Sequence, residues 1–294
     1  MRQDKNHESA LEAHELEKQY GATTVVSRFN VDIPKGQTVV LWGPNGAGKT
    51  TILQCFLGML RYHGTLSVLG QEVKKSGKCV RQSIGYVPQD IRLHTDLTVE
   101  ETLSFYAQLK NVIVKAPQLI LEKWNLIEAR KKCVYALSGG MRQKLALAIA
   151  LLSDPPILFL DEATSNLDLK TRSEFLNQLY QLKQAGKTLV ICSHHISEVR
   201  QLADQVVVLN NGETVATGSL EEVQTFLKND IILSLSLRHE DYSLSKELLR
   251  KHGFQIKTNG SQLLIKMDET RKGELFEILS QSRIPVLDFD IETH

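Results

Sequence analysis

The sequence predicts an α/β fold with a largely parallel sheet, interrupted by a helical subdomain and followed by a small α+β domain. Three observations carry that expectation. Apolar, β-rich runs recur at residues 38–42, 157–160, 188–192 and 205–209 with room for helices between them, and strands alternating with helices favour parallel pairing. Residues 98–153 lose the strand rhythm and read as mostly helical. Beyond about residue 229 the pattern becomes βαββαβ, the order of a ferredoxin-like domain.

After a polar lead over residues 1–10, residues 11–20 and 24–33 read as strands before a turn at Pro34–Lys35–Gly36. The run 38–42 ends in Gly43 and Pro44, as a buried strand does when it enters a turn. A helix is expected from 49 to about 60, then a turn and strand over 64–69. Thr98 with Glu101 three residues on has the capping-box pattern, and it opens the helical subdomain placed at about 90–153. In the last segment Leu233, Leu235 and Leu237 alternate with polar residues, and 242–252 reads as a helix stopped by Gly253. Asn259–Gly260 signals a hairpin. Residues 270–280 are helical in pattern, and Leu287, Phe289 and Ile291 alternate again. The expected domains are therefore 11–228 and 229–294.

Thirty-five basic against 34 acidic residues leave a net charge of +1. That balance gives no electrostatic ground for nucleic acid or an anionic membrane, and no nucleic-acid partner is expected. Cys55, Cys79, Cys133 and Cys192 lie far apart without metal-ligand spacing, so reduced thiols are expected. The amino-terminal stretch has no signal-peptide pattern. The apolar stretch 145–152 falls well short of the ~20 residues a membrane helix needs.

Gly43–Pro44–Asn45–Gly46–Ala47–Gly48–Lys49–Thr50, followed by Thr51, matches the P-loop pattern between an expected strand and helix. Glycines let backbone N–H groups approach polyphosphate oxygens, and the helix N-terminus favours negative charge. Lys49 is expected to reach the β- and γ-phosphates, and the Thr50 hydroxyl to ligate Mg²⁺. The apolar run 157–160 ends in Asp161 and Glu162. Asp161 at a strand end would support hydrated Mg²⁺, and Glu162 would orient or deprotonate the attacking water. An Asp–Glu pair after a strand is by itself an ordinary solvated turn; the P-loop upstream gives it meaning.

Leu137–Ser138–Gly139–Gly140–Met141–Arg142–Gln143 closely resembles the signature motif of ATP-binding-cassette (ABC) proteins. The resemblance spans about residues 11–225 and implies a P-loop NTPase cassette. It further implies that Tyr20 stacks on adenine and that Gln89, in Ile84–Gly85–Tyr86–Val87–Pro88–Gln89, joins the metal site to the helical region. Asp168 would close the loop Ser165–Asn166–Leu167–Asp168 across a dimer interface, with Asn166 standing where glycine is common. Of the adjacent His194 and His195, alignment on the following Ile196–Ser197–Glu198–Val199 makes His194 the residue that contacts the γ-phosphate.

Ser138 can N-cap a helix starting near Met141. In the family, the donors of Ser138, Gly139 and Gly140 meet nucleotide held by the opposite subunit. The resemblance therefore implies Mg²⁺-dependent ATP hydrolysis in a homodimer, or a heterodimer with a paralogue. It implies a separate transmembrane permease subunit, which would hold the chain at the cytoplasmic face of the cell membrane. Residues 97–106 and the P-loop wording resemble bacterial exporters. The alternatives are an importer ATPase with a regulatory C-terminal domain and a soluble, non-transport ABC ATPase. Phe105 and Tyr106 are candidates both for the permease contact and for the core.

Overall fold

Two sheets build the larger part of the chain. The first is antiparallel, ordered β2–β1–β4–β5, from β1 (Ser9–Tyr20), β2 (Thr23–Pro34), β4 (His63–Val68) and β5 (Gln71–Glu72). The second contains β3 (Thr38–Trp42), β6 (Ile84–Val87), β7 (Ile157–Asp161), β8 (Thr188–Ser193), β9 (Gln205–Asn210) and β10 (Glu213–Gly218) in the order β10–β9–β3–β8–β7–β6. All its pairings are parallel except the β9–β10 hairpin. This computed structural model describes residues 8–165, 167–227, 230–259, 262–268, 271–282 and 284–293. Residues 1–7 of the expected polar lead, Asn166, Gly260 of the hairpin signal and the expected boundary at 228 and 229 lie outside them.

Every residue of β3, β7 and β8 is buried, as strands covered on both faces must be. Phe29, Phe56 and Phe159 join Leu11, Leu41 and Ile52 in the core between the two sheets and α1 (Lys49–Phe56). That helix ends four residues before the expected position. Gly58 takes φ 65°, and the N–H groups of Gly58 and Met59 turn back to the carbonyls of Cys55 and Gln54 at 2.9 and 3.0 Å, a glycine-terminated C-cap. β1 starts at Ser9, inside the expected lead, because Ala10 is fully buried. Next come α2 (Val73–Gln82), which breaks helical geometry at Ser76, and β6, neither of them expected from the sequence.

The helical subdomain holds α3 (Val99–Leu109), α4 (Pro117–Lys123) and α5 (Gly139–Ala150). The expected capping box is present: Thr98 Oγ1 accepts from the Glu101 N–H at 3.2 Å and Glu101 Oε2 from the Thr98 N–H at 2.8 Å. Helices α6 (Leu169–Gln184), α7 (Ile196–Leu202) and α8 (Leu220–Val223) complete this unit. No helix among the described residues is long and apolar enough to cross a membrane. All four cysteines are free thiols.

A second compact unit begins at Gln224. It runs β11 (Asp230–Leu237), α9 (Tyr242–Lys251), β12 (Gln255–Asn259), β13 (Gln262–Asp268), α10 (Lys272–Gln281) and β14 (Val286–Thr293). Its antiparallel sheet has the order β12–β13–β11–β14, which is the ferredoxin-like arrangement. Leu233, Leu235, Leu249, Leu263, Ile265 and Leu275 are fully buried in its separate core. The alternation read in β14 is weaker in space: Leu287 and Phe289 are largely exposed on this edge strand.

Candidate active site

The turn from β3 into α1 forms a cradle whose shape depends on glycine. A Cβ on Gly43 would lie 2.3 Å from the Leu209 carbonyl oxygen, and one on Gly48, at φ 96°, 2.8 Å from that of Val25. The N-terminus of α1 has no side-chain cap and no acidic residue in its first turn. In contrast, α3, α5 and α6 are capped by Thr98, Ser138 and Asp168. An uncapped helix start beside a glycine turn leaves N–H donors for an anion.

Lys49 is buried and folds back over the cradle, its Nζ donating to the carbonyls of Gly43 at 2.7 Å and Pro44 at 3.0 Å. The same ammonium lies 3.2 Å from Glu162 Oε1. Gln89 Nε2 donates to Glu162 Oε2 at 3.2 Å, and His194 Nδ1 stands 3.7 Å from Oε1. His194 first, and then Lys49, outweigh burial and hold the Glu162 carboxyl down at about 2, so it is ionised at neutral pH. Its backbone adopts φ 47°, a left-handed conformation that a non-glycine side chain adopts at a cost of about 1–3 kcal/mol. The Glu162 N–H donates to the Cys192 carbonyl at 3.1 Å.

Asp161, at the end of β7, accepts from Thr50 Oγ1 at 2.9 Å and from the Tyr86 hydroxyl at 3.3 Å. Burial pushes its carboxyl up, against the opposing pull of those two hydroxyls. A cleft of about 270 Å³ brings Asn45, Gly46, Gly48, Lys49, Thr50 and Thr51 together with Gln89 and Glu162. Val25, which no motif singles out, also lines it. Ala47 is buried beneath the turn. A larger groove of about 680 Å³, past Lys18, Tyr62 and Lys74, contains none of the motif residues; donor chemistry, not size, locates the site.

Other expected residues stand apart from that cleft. Tyr20 is half-exposed at the end of the β1–β2 hairpin, with Lys18 Nζ 4.5 Å over its ring. Ser138 caps α5 as expected, accepting from the Met141 N–H at 3.3 Å, but the helix begins at Gly139 rather than Met141 because Met141 is its third residue. A Cβ on Gly140 would lie 2.4 Å from the Thr171 Cγ2 methyl, so a larger residue would force that side chain to move and the α5–α6 contact favours glycine. Gly139 borders a second recess that also reaches Gln89 and Glu162. Asp168 caps α6 by accepting from the Thr171 N–H at 3.0 Å. Phe105 and Tyr106 are half-buried, packed edge-on with centroids 5.3 Å apart.

Burial, then the adjacent His194 and Arg172, lower His195 to about 4, so it is neutral at physiological pH. Sequence reasoning did not single out Tyr86, Thr164, Ser193 or Glu198. Tyr86 and Glu198 lie within the quoted stretches 84–89 and 196–199 without being assigned a role there, and the Tyr86–Asp161 and Thr164–Glu198 contacts join distant segments.

The family model for ABC transporter matches residues 26–165. The linearmycin resistance ATP-binding protein LnrL of Bacillus subtilis (strain 168) is 32% identical over 77% of this chain and 75% of its own length. The Nod factor export ATP-binding protein I of Ralstonia nicotianae is 36% identical over 73% of this chain and 68% of its own. A dimeric ATP-binding cassette in a post-hydrolysis state with ADP and Pi superposes with a TM-score of 0.65 at 26% identity, over 71% of this chain and 98% of that one. The chain belongs to the ABC transporter family and is one of its ATP-binding, ATP-hydrolysing subunits.

Proposed function

We propose that this chain powers export through a separate membrane-embedded permease, working at the cytoplasmic face of the membrane as an ATP-closed dimer of itself or with a paralogue. The observation that carries the mechanism is the hold on Glu162: an ionised carboxylate between Lys49, Gln89 and His194 at the rim of a phosphate-shaped cradle. Relatives named for Nod factor export and linearmycin resistance support the direction, and a dimeric neighbour supports the assembly.

In this reading Lys49 leaves the Gly43 and Pro44 carbonyls and pairs with the β- and γ-phosphates, while the uncapped α1 N–H groups receive phosphate oxygens. Glu162 Oε accepts a proton from the attacking water, with Gln89 fixing its second oxygen. His194 contacts the γ-phosphate, Tyr20 offers its ring to adenine, and Ser138 to Gly140 and Asp168 face nucleotide held by the other subunit. The Thr50 hydroxyl and Asp161 carboxylate, 2.9 Å apart, with the Gln89 amide oxygen, form a hard-oxygen set that suits Mg²⁺. Among the described residues no cluster of three or more His, Cys, Asp and Glu competes with it, and Mg²⁺ typically uses one or two carboxylates plus phosphate oxygens. When bound, the ion neutralises phosphate charge. Loss of the γ-phosphate removes contacts that favour the closed dimer, shifting the population towards the open one.

The test is the solution size of Glu162→Gln protein with Mg-ATP and with Mg-ADP, beside wild-type ATPase activity. An ATP-dependent dimer with wild-type turnover is expected. A size indifferent to nucleotide would sink the ATP-closed dimer.

A further inference from the structure

Behind the cleft lies a buried polar cluster to which the sequence motifs assign no role. Glu198, in the first turn of α7, is only 2% exposed. The Thr164 hydroxyl donates to its Oε1, and both that hydroxyl and the Ser193 hydroxyl pull its carboxyl down. Both hydroxyl residues are themselves buried. Ser193 Oγ also accepts the His195 N–H at 2.9 Å.

The chain positions of these partners give the cluster its meaning. Thr164 lies two residues past Glu162, at the start of the loop that ends in Asp168, and Ser193 immediately precedes His194. Glu198, whose N–H donates to the His195 carbonyl at 3.1 Å, thus ties the segment carrying the expected water-orienting group to the segment carrying the expected γ-phosphate contact. A carboxyl sealed from water is costly unless its hydrogen bonds are made, and here the partner, Thr164, sits on a functional loop. Burial is the larger effect and leaves the Glu198 carboxyl raised. At the far end of the same loop, Arg172 Nη2 donates to the Leu167 carbonyl at 3.3 Å. The left-handed Glu162 therefore precedes a loop that is tied down near both ends, as a strained conformation requires.

We infer that Glu198 is a positioning residue for hydrolysis, fixing Glu162 and His194 relative to each other through its bond to Thr164 and its own place one helical turn beyond His194. This inference rests on the roles proposed above for Glu162 and His194. Glu198 itself touches neither of them in this account; it sets the geometry of the two loops that do the chemistry.

The experiment measures kcat, KM for ATP and Tm for wild type, Glu162→Gln, Thr164→Val, Glu198→Ala, Glu198→Gln and the Glu198→Ala/Thr164→Val double variant. Glu198→Ala and Thr164→Val are each expected to lower kcat about 10-fold or more, with KM within about threefold. The double variant should be no slower than Glu198→Ala, because both remove one bridge. Glu198→Gln, which keeps an oxygen acceptor, should recover most of the turnover. If Glu198→Ala does not fold, Thr164→Val and Glu198→Gln decide the matter. Folded variants with wild-type kcat, or losses that multiply in the double variant, would overturn the bridge. Wild-type turnover in Glu162→Gln would instead overturn the reading of the cleft on which the bridge depends.

Discussion

The phosphate cleft and the βαββαβ unit bury opposite kinds of side chain. In the cleft, Lys49, Asp161 and Glu162 are 4%, 1% and 9% exposed, and Glu162 holds a left-handed backbone. In the small unit the interior is Leu233, Leu235, Leu263 and Ile265, while ion pairs such as Arg271–Glu274 and Arg238–Asp241 lie at the surface. Buried charge and backbone strain oppose folding; a leucine core drives it. The difference teaches where chemistry resides: the first region retains features that stability alone would remove, and the second has an interior that stability alone explains.

Lys49→Ala is the sharpest way to break this contrast. It removes the cation from the cradle and leaves Glu162 without its 3.2 Å partner. ATP affinity by calorimetric titration should fall about 100-fold or more, the scale of losing a buried charge-assisted contact. Retained affinity would mean that the buried charge is not there for phosphate. On the other side, Leu235→Ala should cost about 2–5 kcal/mol of the small unit's stability, read by hydrogen exchange in β11 and β13. The same variant should bind ATP as wild type does.

A smaller effect concerns pH. His195 is held at about 4 in the folded chain, below its ordinary 6.5, so folding favours the neutral ring. Its stabilising contribution is complete above pH 6.5 and is lost as pH falls from 6.5 through 4. His195→Asn should therefore flatten the fall in Tm across that window, and an unchanged slope would place the titration elsewhere. Smallest of all, Glu274→Ala, which removes the exposed carboxylate of the Arg271 pair, should leave stability in denaturant unfolding close to that of wild type.

Features written in local chemistry were legible in the sequence. The P-loop, the Thr98 capping box, the Ser138 cap and the order of the small unit each depend on neighbours within a few residues, whereas Asp168, read only as part of a loop, proved to cap α6. The parallel strands were legible because burial on both faces makes them continuously apolar. What escaped depends on distant partners. β1 and β2 join β4 and β5 in a separate sheet, through pairings such as Glu12 with Ser67, which no local pattern announces. α2 is broken at Ser76, and β6 has four residues, too few for a clear period. Gly140 reads as part of a nucleotide motif, yet its close approach to the Thr171 methyl also favours a glycine there. The left-handed Glu162 and the Thr164–Glu198 bond near it are tertiary facts, invisible until β7 and β8 lie side by side.

The central claim is that the Glu162 carboxylate, held ionised between Lys49 and His194, acts on water without being needed to bind nucleotide. Its most direct test is the rate of phosphate release by Glu162→Gln, with ATP affinity measured on the same preparation. The account predicts a loss of about 100-fold or more in kcat with affinity within about threefold of wild type. Turnover within a few-fold of wild type, or an equal collapse of binding and turnover, would contradict it.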